Sequence, residues 1–138
     1  MSAPAQPRAQ RLAGEAMARV KAVVAKDAAF AKKYRTRAMG FPAMVMQAGL
    51  ASSVGFLLAK AGEKAQGKEY RQYLDDLARV AGYEGGLELH EKVIRADLAA
   101  YRLATRDVLD AATWIKRMCQ ALIAGESEDQ PKEVRHGA

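Results

Sequence analysis

The chain has 138 residues, and its 22 Lys and Arg against 16 Asp and Glu give a formal net charge of +6. This length predicts one domain with a substantial core, because single cores usually take roughly 100 to 200 residues. The single cysteine, Cys119, excludes an intramolecular disulfide and favours a reducing compartment. Since the first ten residues also lack the apolar region of a secretory signal, we expect a cytoplasmic protein.

The positive charge is concentrated in the N-terminal half. Residues 1–70 contain 12 Lys and Arg against 4 Asp and Glu, whereas residues 71–138 contain 10 against 12. Such asymmetry is typical of proteins that contact nucleic acid or another anionic surface, although a basic face can also serve solubility alone.

The segments between the glycines are rich in Ala, Leu, Arg, Lys and Glu, and alternating β-branched runs do not occur. The sequence therefore predicts an all-α fold, a single-domain bundle of about five to six helices with a central apolar helix. The predicted domain spans residues 9–124, between a flexible tail over residues 1–8 and a disordered polar tail over residues 125–138. A first helix is expected from Ala9 toward Tyr34, and its continuity through Asp27 stays open.

The predicted central helix lies in the segment Ala38–Ala59, which carries no formal charge and follows the basic cluster Lys32–Arg37. Pro42 is predicted as its first helical residue and Gly62 as its end. Its apolar residues surround the helix, which is typical of a helix at a bundle centre or of a membrane span. The middle of the segment contains three polar residues, Gln47, Ser52 and Ser53, which favour the bundle. No membrane contact is therefore expected.

Three further helices are expected in the C-terminal half. The first includes Tyr70 to Ala81 and is stopped by a left-handed Gly82. A short helix near Leu87 to Arg95 follows, and the last runs from Leu98 to Ile123 with Asp97 as its N-cap.

The last helix has a broad apolar stripe that includes Cys119, which predicts a buried and inert thiol. At about 100° per residue, Arg102, Arg106 and Arg117 fall within a sector of about 60° on the opposite side. These arginines can bind successive phosphates or a partner's carboxylates, or they can form an ordinary exposed face in which Asp110 pairs with Arg106.

Two apolar residues of the last helix, Leu103 and Trp114, project from yet another side. They need cover either from another helix of the domain or from a neighbouring subunit, and we treat them as a candidate partner interface.

Motifs for catalysis are missing from the sequence. It contains no phosphate-binding loop, no H-E-x-x-H zinc motif and no G-x-S-x-G nucleophile motif. His90 lacks the glutamate three positions earlier that a helical di-metal site needs, and His136 falls in the predicted tail. We therefore predict a protein that is not an enzyme, with no cofactor, no metal and no small-molecule substrate.

Order and spacing of particular residues resemble the small all-helical subunit of type III-B CRISPR RNA-guided effector complexes, the Cmr complexes built around RAMP proteins. The resemblance covers most of Ala9 to Ala124. It rests on Tyr34-Arg35, Phe41-Pro42, Gly49-Leu50, Phe56 and Lys60, and then on Tyr101-Arg102, Thr105, Leu109 and Trp114-Ile115-Lys116-Arg117. Phe41 departs from the pattern, which has an aliphatic residue there.

The resemblance implies a noncatalytic subunit that stacks against copies of itself and other Cmr subunits and helps hold guide and target RNA in antiviral defence. It implies RNA contact at Arg35, Lys60, Arg102, Lys116 and Arg117. Local charge adds Lys32, Lys33, Arg37 and Arg106. We expect contact with phosphates and little aromatic stacking, because few aromatic residues lie beside the basic clusters in the sequence. The alternative is a basic protein–protein adaptor with no nucleic-acid contact.

Overall fold

The computed structural model describes residues 6–63 and 67–125, which form six helices and no strand. The predicted all-α class is therefore confirmed. The helices are α1 (Arg8–Val24), α2 (Ala28–Ala48), α3 (Leu50–Ala61), α4 (Lys68–Ala81), α5 (Gly86–Arg95) and α6 (Leu98–Leu122). The predicted tails fall largely outside the described residues, as does His136.

The first predicted helix is divided in two at Asp27. The Asp27 backbone is extended, and its carboxylate accepts a hydrogen bond of 2.9 Å from the backbone N–H of Phe30. This N-cap satisfies a donor that the first turn of a helix otherwise leaves free, so α2 starts here. Consequently the chain turns between α1 and α2, and both helices pack against α6.

The predicted helix start at Pro42 is wrong, because Pro42 lies inside α2. The real boundary is Gly49, with φ 89° and ψ 164°, a conformation that is essentially restricted to glycine. The charge-free segment is thus shared by α2 and α3, and it is buried only in part: Met46 is 75% exposed and Phe56 is 40% exposed.

Helix α4 packs against all five other helices and is therefore the hub of the bundle. Its Tyr73 ring meets Tyr34 and Phe41 of α2 edge to face, each with ring centroids 5.7 Å apart. As predicted, α4 ends at a left-handed glycine, Gly82, with φ 106°.

A buried carboxylate also joins α4 to its neighbours. The hydroxyl of Tyr34 donates to Asp76 Oδ2 at 2.8 Å, and Gln72 Nε2 donates to Oδ1 at 2.9 Å. Arg19 of α1 lies 3.6 Å from Oδ1. Burial raises the pKa of Asp76, while the hydrogen bonds and Arg19 oppose that shift.

The last two helices begin and end close to the predicted positions. The carboxylate of Asp97 accepts a hydrogen bond of 2.9 Å from the backbone N–H of Ala100, which confirms it as the N-cap of α6. Within residues 6–63 and 67–125, the helices lack the length and hydropathy that a membrane span requires.

Candidate nucleic-acid interface

A surface groove brings together basic residues from three helices. Lys33 and Arg37 lie one turn apart on α2, Lys60 lies in the last turn of α3, and Lys68 begins α4. All four line one groove of about 540 Å³, which we call the basic groove. Lys33, Arg37 and Lys60 were predicted as RNA contacts, whereas Lys68 was not, because it belongs to no basic run in the sequence.

Two aromatic rings contact basic residues of this groove: Tyr70 lines the groove, and Phe56 lies beside it, next to Lys60. The guanidinium of Arg37 stacks 4.5 Å from the ring centroid of Tyr70 and hydrogen-bonds to its hydroxyl. Tyr70 meets Phe56 edge to face at 6.1 Å, and Lys60 Nζ lies 5.8 Å from the Phe56 centroid. Sequence patterns gave no signal for this arrangement, because the rings are on different helices and each fits an ordinary apolar stripe.

A second basic surface lies on α6, where Arg102, Arg106 and Arg117 are all exposed. At 1.5 Å per residue this face extends over about 22 Å. Lys116 lies beside it and is half-buried. The guanidinium of Arg117 stacks 4.9 Å from the ring centroid of Trp114.

Aspartates of α6 pair differently from the sequence expectation. Arg106 pairs with the adjacent Asp107, with Nη2 and Oδ1 3.0 Å apart, and not with Asp110. Both aspartates are instead bridged to the start of α1, because Arg8 lies 2.8 Å from Asp107 and 2.6 Å from Asp110. Arg8 therefore partly neutralises both aspartates. Arg102 and Arg117 form no ion pair within the described part of the chain.

Arg35 differs from the other predicted RNA contacts because it is only 7% exposed. Its Nε–H donates to the backbone carbonyl of Ile123 at 3.1 Å, and its guanidinium lies against Gly125, where an added Cβ would collide with it. This position is unsuited to phosphate contact and instead fastens the end of α6 to α2. Neighbouring Lys32 is exposed.

Comparison with known proteins identifies the family. The family model described as "CRISPR-associated protein (Cas_Cmr5)" matches residues 8–122, which is most of the chain. The chain belongs to the Cmr5 family. It is 42% identical over 92 residues to the "CRISPR system Cmr subunit Cmr5" of Thermus thermophilus, a match that covers 66% of this chain and 75% of that protein.

The fold of this Cmr5 family member also matches a solved relative. The crystal structure of a CRISPR-associated Cmr5 family protein from Thermus thermophilus superposes with a TM-score of 0.75 at 36% sequence identity. The match covers 86% of this chain and all of the other. The predicted resemblance to the small subunit of type III-B Cmr complexes is therefore confirmed, and the chain is a Cmr5 family subunit of a CRISPR Cmr complex.

The two residues predicted as a partner interface have different surroundings in this Cmr5 family member. Leu103 is 53% exposed, whereas Trp114 is half-buried and packs against the core. Leu103 is thus open to a partner. Trp114 is covered in part by its own domain.

The other reactive side chains fit structural positions. Cys119 is buried, and burial raises the pKa of its thiol to about 12. His90 is half-buried on α5, and its ring lies next to Gly55 of α3. A Cβ added at Gly55 would lie 3.9 Å from His90 Nε2, which is an ordinary packing distance. Within residues 6–63 and 67–125, no group of three or more His, Cys, Asp or Glu side chains is arranged to hold a metal ion.

Proposed function

We propose that this protein is a noncatalytic subunit of a type III-B CRISPR effector complex in the cytoplasm, which stacks along the complex and helps hold guide and target RNA through basic surface residues. The observation that carries RNA contact is the basic groove, in which Lys33, Lys60 and Lys68 converge from separate helices. Converging cations hold phosphates by charge and release counterions, so binding is independent of sequence and weakens with salt. Base pairing with the guide supplies the specificity.

The exposed face of α6 supports the same function. Arg102 and Arg117 are exposed, and their guanidinium groups bind phosphate oxygens with strong, charge-assisted hydrogen bonds. Contacts shared among neighbouring subunits allow each copy to bind weakly while the whole complex holds its RNA firmly.

Exposed apolar side chains suit contacts with other Cmr subunits, including further copies of this chain. Leu87 and Ile94 are both 62% exposed and, seven residues apart, they lie on the same face of α5. Leu98 is 64% exposed at the start of α6, and Leu103 follows on the same helix. An exposed apolar patch of this kind commonly marks a protein interface.

The test is reconstitution of the Cmr complex with neutralised variants of the subunit. The groove variant carries Lys33→Gln, Lys60→Gln and Lys68→Gln. The face variant carries Arg102→Gln, Arg106→Gln and Arg117→Gln. The matched control carries Arg11→Gln, Lys21→Gln and Arg79→Gln, which removes three exposed charges elsewhere.

We expect the groove and face variants to assemble normally and to retain less RNA than the control. With the full chain and single-stranded RNA, each lost phosphate contact should also reduce the slope of log affinity against log salt by about 0.7. Loss of assembly in the face variant would contradict the proposal and favour the adaptor function, in which these arginines bind a partner's carboxylates. Unchanged RNA retention in both variants would refute RNA contact through these surfaces.

A further inference from the structure

Basic and aromatic side chains alternate along one edge of the basic groove. Arg37 of α2, Tyr70 of α4, Phe56 of α3 and Lys60 of α3 follow one another at distances of 4.5, 6.1 and 5.8 Å. Tyr70 has one ring face covered by Arg37 and is half-buried. Phe56, in contrast, is 40% exposed although it is a large apolar residue. An exposed ring beside converging cations is a combination that the phosphate-contact proposal leaves unused.

The cations that remain for phosphates can be identified from their partners. The guanidinium of Arg37 is engaged by the ring and hydroxyl of Tyr70, and Lys60 lies 3.7 Å from Glu63. Among the described residues, Lys33 and Lys68 form no ion pair. The groove is also lined by Asp27, which caps α2, and by the buried Glu69. With two such lysines, the groove has the capacity to hold about two phosphates, which predicts a shallow salt slope of about −1.4 for a single strand.

We propose that this groove binds an unpaired stretch of RNA, with one base stacked on Phe56 and the flanking phosphates on Lys33 and Lys68. The proposal rests on the proposed function and deepens it, because it specifies the form of RNA that the groove takes. Bases in a duplex present only their edges, whereas an unstacked base offers its face to an aromatic ring. Stacking of this kind tolerates any base, which suits a subunit that must act on guides and targets of any sequence.

The two basic surfaces therefore differ in shape and in ligand. The α6 face has a line of exposed arginines and suits a phosphate backbone, paired or unpaired. The groove suits only a single strand with an accessible base. The sequence expectation of little aromatic stacking rested on few aromatic residues near the basic clusters, and the fold changes that premise, because it places Tyr70 beside Arg37 and Phe56 beside Lys60.

The experiment measures the affinity of the full chain for three labelled RNAs by fluorescence anisotropy: a short oligouridylate, an abasic oligomer of the same length, and an RNA duplex. The variants are Phe56→Leu, which keeps an apolar side chain, and Phe56→Tyr, which keeps the ring. Tyr83→Leu is the matched control, because Tyr83 is a half-buried aromatic residue beyond the far end of α4. Thermal melting verifies that each variant folds.

We expect Phe56→Leu to lower affinity for the oligouridylate about fivefold or more, a loss typical of one stacked base, and by the same factor at every salt concentration. Phe56→Tyr and Tyr83→Leu should bind like the wild type. For the abasic oligomer, which keeps its phosphates, the wild type and Phe56→Leu should bind equally. Lys33→Gln should instead reduce the salt slope by about 0.7 for both oligomers.

Several results would overturn the stacking proposal. Equal affinity of the wild type for the abasic oligomer and the oligouridylate would do so, as would an effect of Phe56→Leu on both oligomers alike. Salt-dependent RNA binding that Phe56→Leu leaves unchanged would refute stacking while the proposed function stands. Two negative results together would overturn the groove as an RNA site: the full chain does not bind RNA, and 4-thiouridine RNA in the assembled complex does not photocrosslink to α3 or α4.

Discussion

Tyr34 and Tyr73 touch edge to face in the core, and the same substitution, tyrosine to phenylalanine, should change stability in opposite directions at the two positions. Both side chains are fully buried, and burial raises the pKa of each phenol well above its ordinary value, so both hydroxyl groups are neutral. They differ in hydrogen bonding. The Tyr34 hydroxyl donates to Asp76 at 2.8 Å, whereas the Tyr73 hydroxyl has no partner among the described residues.

The expected magnitudes follow from this difference. A hydrogen bond to a charged group contributes about 1.5 to 3 kcal/mol, so Tyr34→Phe should destabilise the fold by that amount. Removing an unpaired buried hydroxyl relieves a desolvation penalty, so Tyr73→Phe should stabilise it by about 1 kcal/mol. For a chain of this length the entropy of unfolding is roughly 0.3 kcal/mol/K, which converts these values to a Tm fall of about 5 to 10 °C and a Tm rise of about 3 °C.

Differential scanning calorimetry and urea unfolding of the wild type and both variants at neutral pH measure the two effects. The pair forms its own control, because each change removes one oxygen atom from a tyrosine in the same cluster. A Tyr73→Phe variant less stable than the wild type would refute the reasoning, since it would mean that the Tyr73 hydroxyl makes a favourable contact. A neutral Tyr34→Phe would show that the bond to Asp76 contributes nothing.

Three further predictions concern Gly49 between α2 and α3, the thiol of Cys119 and the buried carboxylate of Asp76. Gly49→Ala should destabilise the fold by about 1 to 3 kcal/mol in urea unfolding, because a Cβ disfavours its positive φ, whereas Gly14→Ala, in a helix with open space at that position, should be neutral or stabilising. Cys119 should resist alkylation by iodoacetamide at pH 8 in the folded protein and react once urea unfolds it, since burial raises its pKa to about 12; rapid labelling of folded protein would contradict this. The raised pKa of Asp76 means that its contribution to stability is largest below its ordinary value of 3.8 and falls as the pH rises through the folded-state value. The Asp76→Asn variant cannot ionise at this position and does not lose stability in this way, so its stability relative to the wild type should increase with pH from about pH 4. A stability difference that does not vary with pH would disprove the pKa shift.

Local features of the sequence predicted most of the C-terminal half. The carboxylate of Asp97 binds a backbone N–H three residues away, and Gly82 reverses the chain through its own φ, so both signals act within a few residues. The N-terminal half was harder to predict. Pro42 is a common first residue of a helix, but tertiary packing of Phe41 and Val45 keeps the surrounding residues helical.

The basic groove shows what lay beyond the sequence pattern. Lys33 and Arg37 are neighbours on one helix, and their cluster was visible as a run of charge. Their proximity to Lys68 and Tyr70 depends on how α2 and α4 cross, which periodicity does not specify. The same limit explains Arg35, which looks like its basic neighbours in the sequence but faces Ile123 across the bundle.

The helical class, the positions of the strongest caps and the excess of positive charge could be read from the sequence, because they follow from composition and from interactions between residues close in the chain. The family was indicated by the resemblance of residue order and spacing to known Cmr small subunits. Which charges are exposed and which rings lie beside them is set by the packing of whole helices, because these contacts join residues far apart in sequence. For this reason Arg35 is buried, while Phe56 is the exposed ring of a candidate RNA site.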